Sequence, residues 1–170
     1  FKGMEENIRK KLIDKCVFKS YGDFKWSMSY KDLAKKGDLN NLANEPIIVS
    51  EGDYPDGIYL IRSGFVRVSR KFNNGHLTKN YLGKGSVFGF EELKYNYENP
   101  NSQRNHSMSL RAIGYVDVIF IPSDVVEKYI FQEDEVSKAL HESCQADNEL
   151  EIAPEKQKVA IATMKAGMLS

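Results

Sequence analysis

The apolar positions fall into three regimes along the chain. Near the start, Ile8, Leu12 and Ile13, followed by Val17, sit near helical spacing, with Arg9, Lys10, Lys11 and Lys15 on the remaining faces. This spacing predicts a basic amphipathic helix whose charged side is solvated. Tyr21-Gly22-Asp23 reads as a turn, and short helices are expected over 30–35 and 39–43, the first stopped by Gly37-Asp38. The aromatic group Tyr21, Phe24, Trp26 and Tyr30 suits packing against a neighbouring layer. Pro46 closes this zone, because proline disfavours helix in the residue before it.

From residue 47 the period changes to two. Ile47-Ile48-Val49 is β-branched and is followed by the turn Glu51-Gly52-Asp53. Ile58 to Ile61 forms an apolar strand closed by Ser63-Gly64. Val66 and Val68 then alternate with Arg67 and Ser69, as on a half-buried strand. Asn73-Asn74-Gly75 is a hairpin turn, since Asn-Gly readily adopts positive φ. Leu77 to Leu82 returns, and Gly83-Lys84-Gly85 turns again. Met108, Leu110 and Ala112 alternate with polar neighbours, Gly114 interrupts, and Tyr115 to Ile121 makes a final strand. Short strands separated by glycine turns predict an all-β barrel, sandwich or roll. The lack of strand–helix–strand alternation argues against a Rossmann-type sheet.

Beyond residue 121 the pattern turns helical. Pro122 suits a first helical position, and Val125, Val126, Tyr129 and Ile130 make an apolar stripe. Val136, Leu140 and Cys144 recur four apart on a second helix, as a stripe that docks on the β layer or as a dimer seam. Pro154 ends or kinks this helix, and Val159, Ile161 and Met164 suggest one more.

Composition narrows the function. The 170 residues hold 24 Lys plus Arg and 24 Asp plus Glu, a formal net charge of zero. A dedicated nucleic-acid binder would carry excess positive charge to neutralise phosphates. Cys16 and Cys144 lie far apart without a CxxC, which fits reduced thiols and excludes a four-cysteine metal site. No apolar run is long enough for a membrane span, and no secretory signal opens the chain, so a cytoplasmic location is expected. The chain starts at Phe1, as a piece of a longer protein would. His76, His106 and His141 show neither HxH nor HExxH spacing, and there is no GxSxG elbow. A metal site and an enzymatic role are therefore not expected.

One segment carries chemistry. Val87-Phe88-Gly89-Phe90-Glu91-Glu92-Leu93 begins apolar, passes a glycine and continues as the first turn of a short helix. A helix N-terminus offers free N–H groups and a positive dipole end, which suits an anion. A plain strand-to-helix corner reads the same way. Glu91 and Glu92 are adjacent on that helix and so need not share one site.

Several motifs together carry a resemblance. Ile47 to Asp53 ends in an EGD turn, and Asp56 to Val68 contains Tyr59-Leu60-Ile61-Arg62-Ser63-Gly64-Phe65-Val66-Arg67-Val68. Gly83-Lys84-Gly85-Ser86-Val87-Phe88-Gly89 precedes the helix, and Leu110 to Ile113 and Asp117 to Ile121 close the β region. Over about residues 45–131 this resembles the cyclic nucleotide-binding domain of catabolite-activator-type regulators, cyclic-nucleotide-dependent kinases and gated channels. The resemblance implies a mainly β fold with flanking helices, a double-stranded β-helix or jelly-roll-like β-roll with helices at both ends. It divides the chain into an N-terminal helical extension (1–45), the roll (46–121) and C-terminal helices acting as hinge and output arm (122–170).

The family places a glutamate after the cassette glycine, for the ribose 2′-hydroxyl, and an arginine some ten residues later, for the cyclic phosphate. Here Phe90 follows Gly89, and Glu91 and Glu92 come one and two positions late. Counting back from Leu110-Arg111-Ala112, the arginine position falls on His106, with Arg104 two residues earlier. The Tyr95–Arg104 stretch is longer than the family cassette. Three readings stay open: Arg104 reaches the phosphate through a reshaped loop, His106 binds it as imidazolium, or the pocket has lost the nucleotide and kept the fold. Phe90 stacks on a base or packs in the core. The ligand-binding set implied is Phe88, Gly89, Phe90, Glu91, Glu92, Leu93, Arg104, His106 and Ser107. The function implied is a regulatory module that binds cAMP or cGMP, needs no other cofactor, and signals to a neighbouring domain or a homodimer partner. The alternative is a degenerate roll serving as scaffold or protein-interaction module. Too few residues follow Pro154 for a helix-turn-helix, so direct nucleic-acid binding is not expected.

Overall fold

Two long strands carry the architecture. In the computed structural model, which describes residues 1, 3–22, 45–73 and 75–149, β3 (Gly57–Phe72) and β6 (Ser109–Pro122) pair antiparallel from Gly57↔Pro122 to Ser69↔Ser109. Around them lie β1 (Val17–Tyr21), β2 (Ile47–Val49), β4 (Gly75–Leu82) and β5 (Val87–Phe88). The order is β1-β6-β3-β4, with β2 on β6 and β5 on β3, all antiparallel. Among the described residues four helices flank this roll: α1 (Glu6–Ile13), α2 (Phe90–Glu98), α3 (Ser123–Tyr129) and α4 (Asp134–Glu149). The mainly β roll with helices at both ends is the expected architecture.

The glycine pattern predicted four strands where two are found. Ser63-Gly64 and Gly114 bend β3 and β6 instead of ending them. Both glycines have positive φ, 82° and 67°, and the pairing register shifts between Ser63 and Phe65. A Cβ on Gly64 would stand 2.4 Å from the Tyr115 carbonyl oxygen, so only glycine lets the backbones approach there. The bend lets each strand serve two parts of the roll.

Alternation along the strands separates two cores. Tyr59 and Ile61 of β3 face the roll interior with Val66, Val68, Leu110, Val116, Val118 and Phe120. Ile58 and Leu60, and Ile119 and Ile121 of β6, face the other way, under the helices. There Leu12, Phe90, Leu93, Val126, Ile130, Val136 and Cys144 bury their side chains, with Leu140 packed alongside. The α4 stripe is thus a docking face on this core.

The N-terminal zone differs from its predicted reading. The helix ends at Ile13, and Val17 begins β1, whose residues pair with β6 from Val17↔Phe120 to Tyr21↔Val116. Asp14 and Lys15 make the intervening turn, so Val17 does not continue the helical stripe. The helices expected over 30–35, 39–43 and near Val159, and the aromatics Phe24, Trp26 and Tyr30, lie outside the described residues. Glu45 is described and buried. It forms a bidentate pair with Arg67, at 2.8 Å to Nη2 and 2.9 Å to Nε, and Arg67 also donates to Thr78 and Tyr81.

Candidate functional site

The site starts at Gly89. β5 lies against Tyr59 and Leu60, and the chain then reverses through Gly89 at φ 89° into α2. A Cβ here would lie 3.0 Å from the Gly57 oxygen and 3.2 Å from His106 Cε1, so glycine is required by conformation and by space. Among the described residues no side chain caps α2. Its leading N–H groups therefore keep their hydrogen-bonding capacity and face outward from the helix head.

A cavity of about 220 Å³ opens at this helix head. Val68, Leu82 and Phe88 supply apolar wall, Lys79 and Asn80 a polar strand edge, and Gly89 to Glu92 the helix head. Ser107 and Met108 line the approach to β6, and Cys144, Asp147 and Asn148 of α4 complete the lining. Asn80 Nδ2 donates to the Asp147 carbonyl oxygen at 2.9 Å, which ties β4 to the end of α4.

Of the expected ligand-binding residues, Phe88, Gly89, Phe90, Glu91, Glu92 and Ser107 line this cavity. Phe90 is fully buried and meets Phe131 edge-on. Leu93 is buried in the core beneath the helices. Arg104 is not among the lining residues: its guanidinium stacks on Tyr95 at 3.6 Å. Its backbone is clamped by Asn96, whose Oδ1 accepts from the Arg104 N–H at 2.6 Å and whose Nδ2 donates to its carbonyl at 2.8 Å. His106 is not among the lining residues either: it is buried, stacked on Phe88 with ring centroids 5.4 Å apart, and packed beside Gly89.

The carboxylates are engaged differently. Glu91 Oε1 is 2.8 Å from His141 Nδ1 of α4, and Gln145 Nε2 is 2.9 Å from the other ring nitrogen. Ser107 Oγ donates to Glu92 Oε1 at 3.2 Å. Burial holds the His106 imidazole below the usual histidine range, against the opposing pull of Glu92, Asp56 and Asp53. Burial, aided by Glu91, Asp147 and Glu92, pushes the Cys144 thiol up to about 12, which makes it unreactive.

Lys79, Asn80, His141, Asp147 and Asn148 were not singled out from sequence. Asn80 carried a usable signal, being a buried polar residue on the same strand face as Leu82. The α4 residues carried none, because their approach depends on the packing of the whole roll. Among the described residues no cluster of His, Cys, Asp and Glu could hold a metal ion, and no helix is long and apolar enough to cross a membrane.

A bent antiparallel roll thus encloses a cavity lined by the head of a glycine-started helix and by a C-terminal helix. The family described as the cyclic nucleotide-binding domain matches residues 39–133, more than half of the chain, and the chain belongs to that family. In structure it is similar to the regulatory domain of Toxoplasma gondii protein kinase A determined with cAMP. That likeness has a TM-score of 0.59 and 16% identity over 85% of this chain and 44% of that one. It is also similar to the regulatory subunit of a cAMP-independent protein kinase A from Trypanosoma brucei, with a TM-score of 0.58 and 16% identity over 82% and 42%. At these identities the likeness is one of fold, and the chain spans less than half the length of either protein. No curated protein matches the chain in sequence.

Proposed function

We propose that the chain is a ligand-sensing regulatory module that takes a cyclic nucleotide, cAMP or cGMP, into the cavity at the head of α2. It relays occupancy through α3 and α4 to a neighbouring domain or a second copy. The observation that carries this reading is the uncapped, glycine-started head of α2 opening on an internal cavity of the roll. The phosphate takes the N–H groups of the first turn of α2. Glu92, tied to Ser107 at the cavity wall, is the carboxylate available to ribose hydroxyls, since Glu91 is held by His141.

The cavity volume of about 220 Å³ is below the roughly 300 Å³ at which small-molecule sites usually begin. Uptake therefore displaces the end of α4 and breaks the Asn80–Asp147 bond. That displacement is the signal, and it requires the ligand to bind the two positions of α4 with different affinity.

A second reading, a roll that keeps the fold without a nucleotide, is favoured by one observation. Glu91, Glu92 and Asp147 line the cavity, and Arg104 is turned away onto Tyr95. The two kinase neighbours, one solved with cAMP and one described as cAMP-independent, are compatible with either reading. Thermal melting with saturating nucleotides separates them. A ligand at 100 times its dissociation constant adds about 2.7 kcal/mol, which is roughly 5–10 °C for a domain of this size. Such a rise with cAMP or cGMP supports the sensor, and no rise with any nucleotide supports the scaffold.

A further inference from the structure

We propose that the anion at the head of α2 is held by the imidazolium of His106, so that ligand uptake is coupled to uptake of one proton. This rests on the nucleotide reading above. Four observations converge on it.

First, His106 is 2% exposed, and neither Nδ1 nor Nε2 has a hydrogen-bond partner among the described residues. Buried polar groups are nearly always paired, because an unpaired one forfeits its bonds to water. Once protonated, the ring would offer both nitrogens as donors to an acceptor. Second, the ring is aimed at the helix head. Cε1, the carbon between the two nitrogens, faces Gly89, at 3.2 Å from the position a Cβ would take. Gly89 is the N-cap of α2, and among the described residues no side chain caps that helix.

Third, the residue is fixed. Its N–H donates to the Asp53 oxygen at 2.8 Å, and its carbonyl accepts from the Gly52 N–H at 2.8 Å, while Phe88 stacks on the ring. Fourth, the surrounding charge suits a proton that arrives with an anion. The elements packed on the ring are β5, the head of α2 and the turn before β3. The charged groups facing it are Glu92, Asp56 and Asp53. Each already accepts a bond elsewhere: Glu92 from Ser107, Asp56 from Tyr59 and Asp53 from the Ser50 N–H. They favour the protonated ring without occupying it. Burial outweighs them and keeps the free ring neutral. A phosphate at the helix head adds a further negative charge, which favours the protonated ring.

The consequence is a ligand affinity that depends on pH. Because the complex holds a proton that the free chain lacks, affinity falls by up to about tenfold per pH unit above the free-ring pKa. An arginine in the same role stays charged and gives no such dependence.

The test is titration calorimetry of the whole chain with cAMP, and separately with cGMP, from pH 5.5 to 8.5, in buffers of different ionisation heat. The expected result is net uptake of up to one proton and progressively weaker binding at higher pH. His106→Gln, close in size and unable to charge, abolishes the uptake and flattens the profile. His106→Arg binds with the same affinity across the range. Equal affinity at all pH values without proton uptake overturns this inference and leaves the nucleotide reading standing. Uptake that persists in His106→Gln does the same. No binding by the parent chain or by His106→Arg at any pH overturns both.

Discussion

The ring of Phe90 meets that of Phe131 edge-on, with centroids 5.9 Å apart and planes at 64°. Tyr97 packs on the same Phe131 ring at 4.9 Å and accepts a bond from Gln132. Two aromatic side chains two turns apart on α2 thus grip the segment that follows α3. Phe90 sits where the resemblance puts a ribose-binding glutamate, and here it joins α2 to the segment after α3. Phe90→Ala is expected to lower stability by about 3–5 kcal/mol in urea unfolding. A double-mutant cycle with Phe131→Ala should return a coupling of about 0.5–1.5 kcal/mol. Additive effects would show that the contact links nothing.

Glycines with positive φ separate conformational cost from steric cost. Gly52 has φ 93° and nothing within 4 Å of an added Cβ, whereas at Gly64 the Cβ meets the Tyr115 oxygen at 2.4 Å. Gly52→Ala should cost only the left-handed backbone penalty, about 1–2 kcal/mol. Gly64→Ala should cost distinctly more, since the β3–β6 pairing must open to admit the methyl group. Equal losses in chemical denaturation would contradict the account of the bend.

The Glu45–Arg67 pair is largely buried, with side-chain exposures of 7% and 15%. Removing one partner leaves a buried charge alone. Glu45→Ala should therefore destabilise by about 3–5 kcal/mol, and combining Arg67→Met with Glu45→Leu should recover most of the loss. Urea midpoints at constant m-value read both outcomes.

Stability should also follow pH. Burial holds His106 below the ordinary histidine value, and burial with Arg111 does the same for His76. Between those lowered values and the unfolded value of about 6.5, the unfolded chain binds more protons. The stabilisation is complete above that pH and is lost as pH falls through the folded values. Without ligand, His106 alone contributes a loss of at most about 1.4 kcal/mol per pH unit in that window. His106→Gln should flatten the slope in urea unfolding between pH 7.5 and 5.5. An unchanged slope would place the titration elsewhere.

The roll was legible because its signals are local. The EGD turn and the alternation at Val66 and Val68 each mark a backbone requirement that a few neighbouring residues reveal. Strand β1 was not legible, since Val17 falls at helical spacing from Ile13 and becomes a strand only by pairing with Phe120. The fused strands escaped for a related reason: glycine signals a break and a bend alike, and only the partner strand decides between them. The site divides the same way. The helix head at Gly89 is written in adjacent residues. The contact of Asn80 with Asp147 spans 67 positions, and the retreat of Arg104 onto Tyr95 depends on Asn96 clamping its backbone.

The central claim is that a cyclic nucleotide occupies the head of α2 beneath α4. Backbone amide NMR of the whole chain during titration with cAMP, and separately cGMP, tests it most directly. The account predicts the largest shifts at Phe90, Glu91 and Glu92, with a second set at Asp147 and Asn148 as α4 is displaced. Unchanged amides at Gly89 to Glu92 under saturating concentrations of both nucleotides would contradict it.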